Sequence, residues 1–152
     1  MKLVIQRVTS SSLYIDGSVF SNIKKGLLVL IGISKSDSEN VIEKLVKKLL
    51  NLRIFEDENS KMNHSILEID GEILLVSQFT LYADTRKGNR PSFINTANPK
   101  NAERLYNKFF EKLNVALGDK IKTGKFGANM QIELVNDGPV TIIIENSNFS
   151  KK

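Results

Sequence analysis

The chain has 152 residues, of which 41% are hydrophobic, and a formal net charge of +5 at pH 7. Single domains commonly reach this length, so we expect one domain over residues 1–146, followed by a polar tail at 147–152. Cysteine is absent, which excludes disulfides, zinc thiolates and a cysteine nucleophile.

The N-terminal segment runs directly into a strand-like stretch at residues 2–8, without the pattern of a signal peptide. The densest apolar run, Leu27 to Ile33, is far shorter than the roughly 20 residues that span a bilayer. We therefore expect a soluble cytoplasmic protein that does not contact a membrane.

The first half of the chain alternates turn signals with apolar runs. Asp16-Gly17 lies between two apolar segments, the arrangement of a tight hairpin. The continuous apolar run 26–33 is typical of a strand buried on both faces. A helix is expected next, with Ser36 and Glu39 at capping-box spacing and an apolar stripe at helical period over 41–50. Residues 56–65 are expected to form a polar loop.

The second half contains the clearest helix. A strand over 73–76 leads into Ser77 to Leu81, and a polar connection of about 16 residues, 83–98, is long enough to suggest a functional loop. Asn98 and Pro99 are typical of a helix start, and Gly118 of its end.

Three strands are predicted to close the chain, at 120–123, 131–135 and 140–145. Strands outnumber helices and often adjoin, so the pattern predicts an α+β domain with antiparallel or mixed sheets and two main helices.

Two short strings carry the chemical interest. Ser77-Gln78-Phe79-Thr80 ends a strand, where alternation would place Ser77 and Phe79 on one face and the other two residues on the opposite face. Residues 136–139, Asn-Asp-Gly-Pro, are typical of a reverse turn, and a Gly-Pro bond is one that accepts the cis form. From composition alone, both strings have purely structural interpretations.

Conventional hydrolytic and metal chemistry has little support. The single histidine, His64, lies in a polar loop without a motif that would hold a base, although a hydrolase using Ser77 or Thr80 with His64 remains an alternative. One histidine and no clustered carboxylates leave few metal ligands, so we expect no metal and no cofactor. The positive charge, with several phenylalanines, also permits a non-catalytic RNA-binding module.

At these two strings the sequence strongly resembles the D-aminoacyl-tRNA deacylase family, also called D-tyrosyl-tRNA deacylase. The resemblance extends in order over about residues 1–146. Further segments that resemble the family are residues 5–8, 51–55, 82–88, 90–93 and 124–128.

This resemblance implies a homodimeric editing enzyme with a β-barrel-like fold and active sites at the subunit interface. It implies hydrolysis of the ester between a D-amino acid and the 3′ end of tRNA, with mischarged glycine as a further substrate. D-aminoacyl-tRNA would be the RNA partner.

The resemblance also implies roles for individual residues. Ser77, Gln78, Phe79 and Thr80 would form the catalytic pocket. Gly138-Pro139, held by Arg7, would be a cis element that enters the partner subunit's site and selects chirality. Phe126 and Met130 would lie around the adenine. Independently of the resemblance, charge and loop position make Arg86, Lys87 and Arg90 candidates for tRNA phosphate contacts.

A mechanism consistent with these residues needs no catalytic base. Main-chain N–H groups around Phe79 and Thr80 would stabilise the oxyanion, and the ribose 2′-hydroxyl of the terminal adenosine would position or activate water. Two main-chain carbonyls beside the substrate's α-carbon would exclude an L side chain and admit glycine. The rival mechanism makes Thr80 a covalent nucleophile.

Overall fold

The computed structural model describes residues 1–146, so the predicted polar tail at 147–152 lies outside the described residues. Two helices and eight strands make up this part of the chain. The helices are α1 (Ile42–Leu50) and α2 (Pro99–Leu117). The strands are β1 (Lys2–Ile15), β2 (Ser18–Ile23), β3 (Gly26–Gly32), β4 (Phe55–Glu56), β5 (Met62–His64), β6 (Glu72–Ser77), β7 (Ile121–Thr123) and β8 (Gln131–Glu145).

One six-stranded mixed sheet organises the fold. The strand order is β2-β1-β3-β6-β7, and β8 also pairs with β1. The β3–β6 and β6–β7 pairs are parallel, whereas β1 pairs antiparallel with β2, β3 and β8. The Ser21 hydroxyl donates to the Thr123 carbonyl at 2.9 Å and links β2 to β7, so the sheet nearly closes into a barrel. The α+β, barrel-like prediction is confirmed.

The hairpin and the buried strand are also as predicted. Asp16 and Gly17 both have positive φ, 51° and 78°, as a two-residue hairpin turn requires. In β3, Leu27, Val29 and Ile31 face the helices, while Leu28 packs into the interior of the barrel. Apolar residues are therefore needed on both faces of this strand.

Both helices pack an apolar stripe against the sheet, and their starts differ. α2 begins at Asn98, whose side chain accepts from the Asn101 N–H at 3.0 Å, and it ends at Gly118 with φ 57°. The capping box predicted at Ser36 and Glu39 is wrong. A 3-10 turn occupies Glu39–Val41, and α1 starts after it without a side-chain cap.

Two further predictions need correction. Residues 56–65 are not entirely a loop, because β4 and β5 pair as a short antiparallel ribbon. The segment 136–139 does not reverse the chain, because β8 pairs antiparallel with β1 on both sides of it. Val8 pairs with Asn136 and Gln6 with Thr141, so four residues of β8 bulge out opposite the single residue Arg7.

Within residues 1–146, neither helix is long and apolar enough to cross a membrane.

Candidate active site

A pocket of about 550 Å³ opens where β3 and β6 end. Its walls come from four separate parts of the chain, which the parallel β3–β6 pair and the start of α2 bring together. None of the described residues that line it has an ionisable side chain. The lining residues are Ile31, Ile33, Val76, Ser77, Gln78, Phe79, Phe93, Thr96, Ala97, Pro99, Ala102, Phe126, Gly127, Ala128, Asn129, Met130 and Ile132.

The polar side of this pocket is a tight turn after β6. The strand ends at Ser77 and a 3-10 turn occupies Phe79–Tyr82, so the predicted strand alternation through Thr80 is wrong. The Gln78 N–H donates to the Ile31 carbonyl at 2.8 Å, and the Leu81 N–H donates to the Gln78 carbonyl at 3.2 Å. Among the described residues, the N–H groups of Phe79 and Thr80 have no acceptor, as expected for the first residues of such a turn.

The Thr80 hydroxyl is exposed and accepts a hydrogen bond from the Gln78 side-chain amide. Ser77, Gln78 and Phe79 line the pocket, whereas the Thr80 side chain does not. The predicted catalytic string is therefore together, but its members present different groups. Ser77 and Gln78 offer polar side chains and Phe79 a ring, whereas Thr80 follows them in the turn with an N–H group that is unbonded among the described residues.

Aromatic rings form a second part of the lining, which begins at Phe79 in the turn itself. Phe79 meets Phe93 edge to face, with ring centroids 5.0 Å apart. Phe126 lies against Tyr106 at 5.8 Å, and the buried Tyr106 hydroxyl donates to the Leu75 carbonyl at 2.9 Å. Burial raises the pKa of Tyr106, so this phenol stays neutral and structural. Phe126 and Met130 both line the pocket, which gives it a flat apolar surface of the kind that stacks a base.

His64 belongs to a different region. It lies on β5, and its Nδ1 is 3.9 Å from the Glu68 carboxylate. His64 does not line the pocket that contains Ser77. The arrangement gives no support to a hydrolase that pairs Ser77 or Thr80 with this histidine.

The bulge in β8 is fixed by Arg7, which is buried. The Arg7 Nε donates to the Asp137 carbonyl at 2.9 Å, and Nη1 donates to the Ile54 carbonyl at 2.7 Å. Gly138 has φ 128°, its bond to Pro139 is cis, and both residues are exposed. Neither Gly138 nor Pro139 lines the pocket of its own chain.

The predicted phosphate contacts lie on an exposed loop outside the pocket. Arg86, Lys87 and Arg90 are all exposed. Arg86 donates to Asp84 through Nε at 2.9 Å and Nη2 at 2.6 Å. These hydrogen bonds lower the pKa of Asp84 to about 2. Arg86 is thus held by its own loop.

Several pocket residues were not predicted from the sequence. Thr96 and Ala97 come from the long connection, Pro99 and Ala102 from the first turn of α2, and Asn129 from the segment before β8. For Thr96 and Ala97 the only signal was the length of the polar connection 83–98, and no motif marks any of the five individually.

Among the described residues, no three histidine, aspartate or glutamate side chains come together as a metal site.

Comparisons with known proteins agree on one family. A family model described as D-Tyr-tRNA(Tyr) deacylase matches residues 4–145. A D-aminoacyl-tRNA deacylase of Bacteroides fragilis (strain YCH46) is 55% identical over 148 residues, which cover 97% of this chain and 99% of the relative. One from Thermosipho melanesiensis is 51% identical over 146 residues, covering 96% of this chain and 97% of the relative.

Two solved structures share the fold of this chain. A structure described as c-Myc DNA Unwinding Element Binding Protein is 47% identical, with a TM-score of 0.91, and the match covers 95% of this chain and 98% of that chain. A structure described as a probable eukaryotic D-amino acid tRNA deacylase has a TM-score of 0.80 at 20% identity, covering 94% and 97%, and shares the fold. With a pocket built as described and a family match over residues 4–145, the chain belongs to the D-Tyr-tRNA(Tyr) deacylase family.

Proposed function

We propose that this protein is a D-aminoacyl-tRNA deacylase, which hydrolyses the ester between a D-amino acid, or mischarged glycine, and the 3′ end of tRNA. The observation that carries the chemistry is a pocket with aromatic walls and no ionisable side chain among its described lining residues. A site of this kind can bind the terminal adenosine, but it lacks a side-chain base.

The reaction is therefore assisted by the substrate. Water adds to the ester carbonyl, the bond from the carbonyl carbon to the ribose 3′-oxygen breaks, and that oxygen takes up a proton. The products are the free amino acid and tRNA with a 3′-hydroxyl. The free N–H groups of Phe79 and Thr80 stabilise the oxyanion, and each such donor contributes about 3–4 kcal/mol. The ribose 2′-hydroxyl positions the water.

Covalent catalysis by Thr80 is the less favoured mechanism. The Thr80 hydroxyl already accepts a hydrogen bond from the Gln78 side-chain amide. A threonine nucleophile needs a neighbouring base, and none of the described residues that line this pocket has an ionisable side chain to provide one. We therefore assign Thr80 a main-chain role.

Chirality is selected in a homodimer. Gly138 and Pro139 are exposed on a bulge that Arg7 holds rigidly, and they do not reach their own pocket. We assign them to the pocket of a second copy, where their carbonyls lie beside the substrate's α-carbon. A hydrogen fits on that side and an L side chain does not, so L-aminoacyl esters are excluded by shape.

The tRNA body lies along the positive loop beside the pocket. Lys87 and Arg90 are exposed and so available to phosphates, and Arg86 is available if it exchanges its contact with Asp84. This part of the proposal concerns position and affinity, because phosphate contacts carry no sequence information. Residues 1–146 form the single catalytic domain.

The test uses purified protein with D-Tyr-tRNA and L-Tyr-tRNA at equal concentration. We expect fast release of D-Tyr and negligible release of L-Tyr. A second pair of substrates, with and without the terminal 2′-hydroxyl, tests the assistance by the ribose. Equal rates for the two enantiomers, or salt-sensitive tRNA binding without hydrolysis, would refute the proposal and favour a non-catalytic RNA-binding module.

A further inference from the structure

A short segment, Gly32–Asp37, contacts two of the chain segments that form the pocket. We call it the support segment. It begins at the end of β3 and touches both walls of the pocket. The Ile33 carbonyl accepts from the Ala97 N–H at 3.0 Å, and the Lys35 N–H donates to the Asn95 carbonyl at 3.0 Å. Residues 93–97, which contribute Phe93 to the pocket and which we call the aromatic wall, are therefore bound to this segment by main-chain hydrogen bonds.

The same segment also touches the polar wall. A methyl group added at Gly32 would lie 2.9 Å from the Leu81 Cβ and 3.2 Å from the Gln78 carbonyl oxygen. The turn that carries the free N–H groups of Phe79 and Thr80 is thus in close contact with the support segment. A small shift of the segment changes the distance between the two walls.

Asp37 fixes the end of this segment. Its carboxylate accepts from the α-ammonium group of Met1 through Oδ1, and from the Ser34 N–H through Oδ2 at 2.7 Å. The side chains of Met1 and Asp37 are almost fully buried, with exposures of 0% and 2%. A buried pair of this kind does little for net stability but imposes one geometry, because moving either charge leaves the other unpaired.

Tyr82 brings the turn against the start of the support segment, since a methyl group added at Gly32 would lie 3.3 Å from the Tyr82 Cδ2. Tyr82 is the last residue of the turn, and the Lys2 Nζ lies 5.4 Å from the centre of its ring. Burial, and then the negative charge of Asp37, raise the pKa of Tyr82 to about 12, so the phenol remains neutral at physiological pH.

We propose that Asp37 is a positioning residue for the deacylation reaction. Held between Met1 and Ser34, it fixes the support segment, and through it the separation of the main-chain donors at Phe79 and Thr80 from the aromatic wall. This inference rests on the proposed function for its catalytic consequence, whereas its structural part is independent of that function. A misplacement of about 1 Å far from the reacting atoms can lower a rate about 100-fold.

The test replaces Asp37 with asparagine, which keeps the shape and can still accept from Ser34 but carries no charge. Amide hydrogen exchange is the first measurement. We expect exchange at the Gln78 and Ala97 amides, which are bonded to the Ile31 and Ile33 carbonyls, to accelerate at least tenfold more than exchange in the β1–β8 ladder. Equal acceleration throughout the sheet, or none at these two amides, would overturn the proposal.

Kinetics with D-Tyr-tRNA provide the second measurement. Asp37→Asn should lower kcat at least tenfold and change KM less than threefold, because the groups that bind adenosine remain in place. Ile66→Val is the matched control, since Ile66 is fully buried but does not line the pocket. It should leave kcat and the local exchange ratio unchanged. A normal kcat in Asp37→Asn would overturn the proposal.

Asp37→Glu retains the charge, so it is the second variant if Asp37→Asn does not fold. It displaces the carboxylate by one methylene, and the same local exchange signature is expected at smaller amplitude. If the wild-type protein hydrolyses no D-aminoacyl-tRNA, the proposed function fails. The exchange result still decides whether Asp37 positions the two walls.

Discussion

Replacing Arg7 by lysine should weaken the discrimination between D- and L-aminoacyl esters while leaving most of the hydrolysis rate on the D-ester. Arg7 donates to two main-chain carbonyls that lie far apart in sequence, those of Asp137 in the bulge and Ile54 before β4. Lysine keeps the positive charge but has one ammonium group in place of a rigid fork. Since the two carbonyls are bonded by different nitrogens of the fork, Nε and Nη1, we expect the single nitrogen of lysine to keep only one of the two hydrogen bonds.

The magnitude follows from these contacts. A hydrogen bond from a charged donor contributes about 1.5–3 kcal/mol, so losing one of them in Arg7→Lys should lower the free energy of unfolding by that amount. The ion pairs of Arg7 with Glu56 at 3.5 Å and Asp137 at 3.4 Å add little, because both carboxylates are more than a third exposed. Arg7→Ala removes both carbonyl contacts and should cost about 3–6 kcal/mol.

The assay compares release of D-Tyr and L-Tyr from tRNA together with urea unfolding. A bulge held by one hydrogen bond can move more easily, so it penalises an L side chain less. Each 1.4 kcal/mol by which this penalty falls raises the rate for the L-ester, relative to the D-ester, about tenfold. We expect Arg7→Lys to keep most of its rate on D-Tyr-tRNA and to lose at least tenfold in the ratio of the two rates.

Arg53→Lys is the matched control. The Arg53 guanidinium also donates two hydrogen bonds, to the Asn63 carbonyl at 2.6 Å and to the Asn63 side-chain oxygen at 3.0 Å. Unlike Arg7, it is exposed, and these two bonds go to β5 and not to the bulge. Its enantiomer ratio should stay at the wild-type value. An unchanged ratio in Arg7→Lys, with the expected loss of stability, would show that Arg7 supports the fold but not selection.

Three further predictions concern single residues. Gly26→Ala should lower the free energy of unfolding by about 3 kcal/mol or more in urea titrations, because the added Cβ would lie 1.8 Å from the Glu72 carbonyl oxygen and push β3 away from β6. Phe126→Ala should raise KM for D-Tyr-tRNA about 5- to 150-fold with a smaller effect on kcat, since stacking a base contributes about 1–3 kcal/mol; an unchanged KM would remove Phe126 from the adenosine site. The pKa of Asp84 is lowered to about 2 by Arg86, so the stabilisation from this contact is complete above pH 4 and is lost as pH falls through about 2. In a carboxyl NMR titration, Arg86→Gln should raise the pKa of Asp84 toward about 3.9.

Regular elements were predictable because their residue periods are local. The buried strand at 26–32, the hairpin at Asp16-Gly17 and the boundaries of α2 each follow from patterns within a few residues. The string at 77–80 was assigned a catalytic role by resemblance, and that role stays a prediction, but its backbone was predicted wrongly. Nothing in four residues shows that the strand stops at Ser77 and tightens into a turn.

The bulge in β8 was mistaken for a reverse turn for a physical reason. Asn-Asp-Gly-Pro has the composition of a turn, but the Asn136 side chain accepts from the Val140 N–H at 2.7 Å and donates to the Val140 carbonyl at 3.3 Å. These two bonds close the bulge between Asn136 and Val140, so that β8 resumes its pairing with β1 after it. Partners such as Arg7 and Asp137 are 130 residues apart, and no local pattern encodes that contact.

The two unsatisfied N–H groups after Ser77 have an evolutionary consequence. They belong to the peptide backbone, so every amino acid except proline at positions 79 and 80 supplies them equally well. Under the proposed mechanism, a point mutation to any residue other than proline leaves both donors in place, whereas a catalytic serine or histidine is lost by a single exchange. Genes in this lineage that have lost the activity should therefore show inserted or missing residues near the turn, or a proline within it, more often than a simple exchange of one side chain.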